Sequence, residues 1–122
     1  MPVTAVSGSA SGIGAAVCQA LRAAGHRVIG IDRANAEVIA DLSSAGGRQA
    51  AISAVLLQSA GVLDGLVCCA GVGSSAMSET IVSVNYFGVS ELLDGLADAL
   101  AKGDSPAAVV IGSIAATHAK PD

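Results

Sequence analysis

The sequence predicts an α/β protein in which a doubly wound parallel sheet is covered by helices on both faces. Strand-like apolar runs alternate with segments of helical periodicity along the chain. The strand-like runs are rich in Val, Ile and Ala without polar alternation, as is typical of strands buried on both faces. With 122 residues, 52% of them hydrophobic, the chain is expected to form one domain over residues 1–122.

The first strand and helix are predicted at residues 2–7 and 12–25. Ile13, Val17, Leu21 and Ala24 recur at helical spacing in the first helix, which ends at a glycine. Further strands are predicted at residues 27–32, 37–42, 63–71 and 107–113, and further helices at residues 46–61 and 79–102. Each crossover between parallel strands is expected to be right-handed.

The two later helices differ in their polarity. The helix at 46–61 places Ile52, Val55, Leu56 and Ser59 on one face. The helix at 79–102 has one predicted solvent stripe and is apolar over most of the remaining circumference. That stripe consists of Glu91, Asp94 and Asp98. We expect this helix to need a second partner besides the sheet.

Composition argues against several classes of function. A net charge of −4, no cluster of Lys or Arg, one Tyr and one Phe disfavour a nucleic-acid surface. No apolar run reaches the ~20 residues of a membrane span and no leader precedes the first strand, so the chain is predicted to be soluble and cytoplasmic. Cys18, Cys68 and Cys69 lie in apolar surroundings and are predicted to be reduced core residues, with no metal site.

The loop SGSASGIG joins the first strand to the first helix. Gly8 and Gly12 would let the backbone approach a pyrophosphate, and Gly14 would let the helix approach the strand. The helix N-terminus offers free N–H groups to that anion. The spacing is GxxxGxG, without the Lys of a triphosphate-binding loop. The alternative is a tight turn selected for packing alone.

The second strand ends at Asp32, 18 residues after Gly14, where a carboxylate accepts hydrogen bonds from the hydroxyls of an adenosine ribose. A 2′-phosphate there would meet a like charge, so NAD is favoured over NADP. Arg33 beside it acts in the opposite direction. The alternative for Asp32 is a solvated strand end.

Several segments resemble the motifs of the short-chain dehydrogenase/reductase family. Ser7, Gly8 and residues 12–14 resemble its TGxxxGIG loop, with serine in the threonine position. Asp41 and Leu42 resemble the segment in which the family has an Asp that contacts the adenine of the cofactor. CCAG at residues 68–71 stands where the family has NNAG. The motifs follow in the family's order. The amino-acid sequence of several segments most resembles that of bacterial hydroxysteroid dehydrogenases and carbonyl reductases.

The resemblance extends to two polar residues in the second half of the chain. Asn85, within VSVNYFG, matches the family's helix asparagine, and Ser113 matches its catalytic serine at the end of the fifth strand. The resemblance implies that Ser113 binds the substrate oxygen and that Asn85 holds a water of the proton relay. The residues it implies at the cofactor are Ser7, Gly8, Ser11, Gly12, Ile13, Gly14, Asp32, Arg33, Asp41, Leu42, Cys69, Ala70 and Gly71.

The resemblance also implies a Rossmann-type sheet of order 3-2-1-4-5, truncated before strands 6 and 7, and hydride transfer between NAD and an alcohol or ketone. The family's Tyr-x-x-x-Lys is not in the 122 residues, because the only tyrosine, Tyr86, is followed four residues later by Ser90. We therefore expect an N-terminal half, inactive alone, whose partners are the missing half and a second subunit in a homo-dimer or homo-tetramer.

Two other functions fit the same residues. The chain could be a stand-alone dinucleotide-binding module without catalysis, in which case it would bind NAD by itself. It could also bind S-adenosylmethionine, which likewise uses a glycine loop and an acidic residue at the end of the second strand. Competition between NAD and S-adenosylmethionine in a melting assay would separate the two cofactors.

Overall fold

The computed structural model describes residues 1–71 and 78–111. Within these ranges, five parallel strands form one sheet of order β3-β2-β1-β4-β5, which confirms the predicted fold class. The strands are β1 (Val3–Ser7), β2 (Arg27–Asp32), β3 (Val38–Ile39), β4 (Gly65–Cys68) and β5 (Ala107–Val110). The helices are α1 (Gly12–Ala23), α2 (Ala45–Gln58), α3 (Ser78–Ile81) and α4 (Gly88–Ala101), with a π-helical turn at Val82–Phe87 between the last two.

The strand order reverses between β1 and β4, and the register aligns the carboxyl ends of the central strands. Ser7, the last residue of β1, pairs with Ile31 on one side and with Cys68 on the other. The segments that follow β1, β2 and β4 therefore emerge at one level of the same edge. In an open parallel sheet, this reversal of strand order is the place where a ligand crevice forms.

Two apolar cores cover the two faces of the sheet. The larger core packs α2 and α4 against strand residues that include Ile29, Ile31 and Leu66, all of them buried. The smaller core packs Cys18 of α1 against Val6 and Val28. This arrangement is the predicted doubly wound one, since helices lie on both faces.

Of the residues at helical spacing in α1, Val17 and Leu21 pack against the smaller core. Gly14 and Cys18 are the buried residues of this helix, whereas Ile13 is 61% exposed and Ala24 is exposed. Small side chains let the helix lie close to the sheet, so its contact line follows them and not the larger apolar residues. The face predicted for α2 is mostly correct, because Ile52, Val55 and Ser59 are buried.

The third strand is shorter than predicted from residues 37–42. Only Val38 and Ile39 pair with β2, opposite Ile31 and Asp32. Beyond them the chain turns, and the Asp41 carboxylate accepts the backbone N–H of Ser43 at 2.9 Å. The local hydrogen bond of an aspartate competes here with continued strand pairing.

The helix predicted at residues 79–102 is interrupted by the π-helical turn. Asp94 and Asp98 are exposed as predicted, but Glu91 is not part of a solvent stripe, since its carboxylate lies 2.9 Å from the buried Arg48. The ion pair turns Glu91 toward α2. No helix in the described ranges is both long enough and apolar enough to cross a membrane.

Asp64 fastens the amino edge of the sheet. One of its carboxylate oxygens accepts the N–H of Val3 at 2.8 Å, and the other accepts the N–H of Asp104 at 3.0 Å. These backbone hydrogen bonds, the one from Val3 foremost, hold the pKa of Asp64 below its usual value. The carboxylate therefore stabilises the fold above the ordinary Asp pKa, and that contribution is lost as the pH falls through the lowered folded-state pKa.

Asp64→Asn should lower the melting temperature near neutral pH, because the amide replaces one of the two acceptor oxygens with a donor. The difference from wild type should shrink as the pH is lowered through about 4 and below, where the wild-type carboxylate also becomes protonated. Thermal unfolding followed by circular dichroism at a series of pH values measures this. A difference that stays constant down to acidic pH would contradict the role of the ionised carboxylate.

Candidate functional site

A cavity of about 360 Å³ opens at the carboxyl edge of the sheet, where the strand order reverses. Its volume lies within the range of small-molecule sites. The predicted cofactor residues that line it are Gly8, Ser11, Gly12, Ile13, Gly14, Asp32, Arg33, Asp41, Leu42, Cys69, Ala70 and Gly71. Sequence reasoning missed four further lining residues, which are Ile31, Ser43, Thr80 and Val84.

The three glycines of the first loop serve different purposes. Gly8 has a φ of +70°, and a Cβ there would lie 2.7 Å from the backbone nitrogen of Ala70. A Cβ on Gly14 would overlap the carbonyl oxygen of Gly8, so α1 can approach β1 only with glycine at this position. Gly12, with a φ of +56°, has no atom within 4 Å of its Cβ position, which leaves its backbone open to the cavity.

The N-terminus of α1 meets the requirements of an anion site. Ser11 stands at the N-cap with extended backbone, yet its side chain makes no capping hydrogen bond, and no acidic residue lies in the first turn. The backbone N–H groups of this turn are therefore available to donate hydrogen bonds to a ligand, and the helix dipole favours negative charge there. The residues present fit a pyrophosphate group.

Ser7 does not line the cavity but holds its floor. The residue is buried, and its Oγ accepts the backbone N–H groups of Cys69 and Ala70, each at 3.2 Å. These bonds fix the segment after β4 to the end of β1. Ser7 thus positions the backbone of the CCAG segment.

Asp32 is the last residue of β2 and contacts the glycine loop. Its Oδ2 accepts the N–H of Ala10 at 2.9 Å, and its Oδ1 accepts the N–H of Arg33 at 2.7 Å. Both Asp32 and Arg33 line the cavity. The carboxylate is therefore held at the wall by backbone donors and retains lone pairs for hydroxyl donors of a ligand.

The opposite wall is built on the N-terminus of α2. Hydrogen bonds from the side chain and backbone of Ser43 lower the pKa of Asp41, which keeps this carboxyl group ionised. Ser44 caps α2 by accepting the N–H of Gly47 at 3.0 Å. A Cβ on Gly47 would overlap the carbonyl oxygen of Asp41, so the wall lies directly against the helix.

Cys18, Cys68 and Cys69 are free thiols, of which the first two are buried and the third is partly buried. Burial raises the pKa of Cys68 to about 11 and also raises that of Cys69, which lines the cavity. Protonated thiols of this kind are poor nucleophiles and poor metal ligands. Within the described ranges, no group of three His, Cys, Asp or Glu residues could hold a metal ion.

Of the two predicted catalytic residues, the structure places one. Asn85 lies in the π-helical turn, and its Oδ1 is 3.3 Å from the position that a Cβ on Gly71 would take. The asparagine therefore stands at the Gly71 end of the cavity. Ser113 lies outside the described residues.

Arg48 is a buried neighbour of the cavity that sequence reasoning missed. It is 7% exposed and pairs with Glu91 at 2.9 Å, behind the wall formed by Asp41 and Leu42. A single arginine in the otherwise apolar or small sequence AGGRQAAISAVLL is the signal that could have found it, because a buried cation requires a paired anion.

Comparison with known proteins agrees with this geometry. Residues 2–122 match the family model described as short chain dehydrogenase. The chain is 53% identical over 119 residues to 3-alpha-hydroxysteroid dehydrogenase/carbonyl reductase of Comamonas testosteroni, covering 97% of this chain and 46% of that protein.

Solved structures show the same architecture. The 3-alpha-hydroxysteroid dehydrogenase of Pseudomonas sp. B-0831, complexed with NADH, superposes with a TM-score of 0.88 at 63% identity, over 94% of this chain and 49% of that one. Pseudomonas aeruginosa RhlG, in an active-site complex with NADP, gives a TM-score of 0.81 at 26% identity, over 99% of this chain and 56% of that one. The chain thus spans about half the length of the relatives it matches. On sequence and on structure, it belongs to the short-chain dehydrogenase/reductase family.

Proposed function

We propose that this chain is the cofactor-binding half of an NAD-dependent oxidoreductase that interconverts a secondary alcohol and a carbonyl. The observation that carries the proposal is the cavity at the reversal of strand order, where the glycine loop, Asp32 and the Asp41–Leu42 segment meet. The substrate class we propose is a hydroxysteroid, since relatives at 53% and 63% identity are named as 3-alpha-hydroxysteroid dehydrogenases.

Each part of the cavity would hold one part of the dinucleotide. The N–H groups at the start of α1 would bind the pyrophosphate, and Asp32 would accept the hydroxyls of the adenosine ribose. Asp41 and Leu42 would contact the adenine. NAD, when bound, supplies reversible hydride acceptance.

The chain's own residues would then act on the substrate and its proton. We propose that Ser113 donates a hydrogen bond to the substrate oxygen and that Asn85 holds a water of the proton relay, as the family resemblance implies. The residues of the general acid/base pair are not among the 122, because Tyr86 is followed at the fourth position by Ser90. We therefore propose that this chain turns over substrate only together with the rest of its protein.

We also propose self-association as a homo-dimer or homo-tetramer through the helical segment 79–102, in which the π-helical turn exposes apolar side chains. Val82, Tyr86 and Phe87 are 49%, 63% and 41% exposed in the described part of the chain, and the two rings form an edge contact with centroids 5.0 Å apart. Exposed apolar groups of this kind are typical of an interface. Light scattering of the full-length protein measures the oligomer.

Turnover by the full-length protein tests the proposed function. With NAD and a 3-alpha-hydroxysteroid, NADH absorbance should rise, and NADH fluorescence should show binding at the same site. Binding of NAD without oxidation of any secondary alcohol would favour the stand-alone module. A melting temperature raised by S-adenosylmethionine and not by NAD would contradict both.

Asp32→Ala should change the cofactor preference. The variant removes the charge that opposes a 2′-phosphate, so the ratio of NADPH to NADH dissociation constants should fall by about tenfold or more. Fluorescence titration with each reduced cofactor measures the two constants. Arg33→Ala is the matched control. It removes the neighbouring cation, so the ratio of NADPH to NADH dissociation constants should rise. An unchanged ratio in Asp32→Ala would contradict the role of this carboxylate in selecting NAD.

A further inference from the structure

Arg48 of α2 is a buried cation that joins separate elements of the structure. Its Nε donates to Glu91 of α4 at 2.9 Å, and its Nη1 donates to the carbonyl oxygens of Leu42 at 3.2 Å and Ser83 at 3.5 Å. The guanidinium carbon lies 5.6 Å from the centre of the Phe87 ring. Its cost of burial is therefore offset by an ion pair, two carbonyl acceptors and a cation–π contact.

Two of these contacts reach segments that line the cavity. Leu42 lines the cavity on the side of α2. Ser83 belongs to the π-helical turn and directly precedes Val84, which also lines the cavity. Arg48 itself is not a lining residue, so its side chain is a connection between the walls and not a ligand contact.

The turn that Arg48 contacts has an uncommon geometry. The carbonyl oxygen of Ser83 accepts the N–H of Gly88, five residues later, in the π-helical pattern. Such turns are rare and are often found at functional sites. Asn85 lies within the turn and reaches the Gly71 end of the cavity, so the geometry of the turn decides where its amide stands.

We propose that Arg48 is a positioning residue that holds the π-helical turn against the Leu42 segment and thereby fixes Asn85 at the cavity. The inference rests on the proposed function, since that function assigns Asn85 to the proton relay. Lysine would keep the charge but not the planar fork that serves Glu91, Leu42 and Ser83 together. The specific prediction is that Arg48 acts on turnover through Asn85.

The test uses the full-length protein and a double-mutant cycle of Arg48→Lys with Asn85→Ala. Turnover number, KM, the NADH dissociation constant and hydrogen exchange of the segment 79–90 are measured for each variant. Arg22→Lys is the matched control, because Arg22 forms an ion pair with Glu37 on the surface, where the two side chains are 52% and 43% exposed.

Arg48→Lys should lower the turnover number by about tenfold, with a smaller change in KM, because a displacement of Asn85 affects the proton relay more than substrate binding. Exchange of residues 82–87 should become faster. The double variant should be no slower than Asn85→Ala alone. Arg22→Lys should match wild type in every measurement. If Arg48→Lys does not fold, Glu91→Gln is used in its place, because it removes the ion pair at nearly constant side-chain volume. The turnover number should again fall, and exchange of residues 82–87 should again become faster.

Other outcomes overturn the inference in distinguishable ways. Full turnover in Arg48→Lys, or additive losses in the double variant, would overturn the positioning role while the proposed function stands. Wild-type protein without NAD-dependent oxidation, or an Asn85→Ala variant with unchanged turnover, would overturn the assignment of Asn85 and the inference with it. Unchanged hydrogen exchange at residues 82–87 would remove the structural basis of the inference.

Discussion

Gly14→Ala should abolish NADH binding and destabilise the fold by about 3 kcal/mol or more. The added Cβ would overlap the carbonyl oxygen of Gly8 and lie 2.6 Å from its carbonyl carbon. The Gly8 carbonyl group cannot shift easily, because the N–H of the same residue donates to the carbonyl oxygen of Ile31 at 2.8 Å. Helix α1 would have to move away from β1, and the N–H groups of its first turn would leave the cavity.

Urea unfolding and NADH fluorescence titration measure the two effects of Gly14→Ala. Gly12→Ala is the matched control for the effect on stability, since no atom lies within 4 Å of its Cβ position. Its positive φ should cost only about 1 kcal/mol in stability, while the methyl group enters the cavity and weakens binding. Wild-type stability and affinity in Gly14→Ala would show that α1 does not depend on this close approach.

Gly47→Ala should lower the free energy of unfolding by about 2 kcal/mol and weaken NADH binding by about tenfold. The new Cβ would overlap the carbonyl oxygen of Asp41 and lie 3.0 Å from Oγ of Ser44, the N-cap of α2. The wall that contains Asp41, Leu42 and Ser43 would have to shift away from the helix. Stability and affinity should therefore fall together.

The adjacent Gly46 offers a control for Gly47→Ala in the same helical turn. No atom lies within 4 Å of its Cβ position. Gly46→Ala should thus be neutral or stabilise the protein by about 0.5–1 kcal/mol through helix propensity, with unchanged affinity. Chemical denaturation of both variants gives the comparison. If Gly47→Ala is as stable as Gly46→Ala, the Asp41 wall does not rest on α2 as described.

The features predicted correctly from sequence are those set by local pattern. Strand-like apolar runs that alternate with helical segments predicted the parallel sheet. The family resemblance supplied the strand order that the structure confirms. The glycine loop and Asp32 could be placed at one edge because parallel strands end at the same level. The structure brings these predicted residues together around one cavity, whereas their role in binding stays a prediction.

The features that were missed depend on contacts between distant segments. Arg48 and Glu91 are 43 residues apart, and no local pattern relates them. The π-helical turn conforms to the same apolar periodicity as an α-helix over so short a stretch, so the sequence predicted one continuous helix. The helical spacing of Ile13, Val17, Leu21 and Ala24 did not show that the buried positions of α1 are the small residues Gly14 and Cys18.

The carboxylate of Asp64 has a consequence for how this fold can change over evolution or by engineering. It ties the starts of β1 and β4 to Asp104, ahead of β5, at the edge opposite the cavity. Mutations that adjust thermal tolerance can therefore accumulate at the amino edge while cofactor preference is selected at the carboxyl edge. Substitutions at Asp64 would therefore change stability one strand length away from the cavity, whereas Gly14 and Gly47, which lie beside the cavity-lining segments, couple stability to binding.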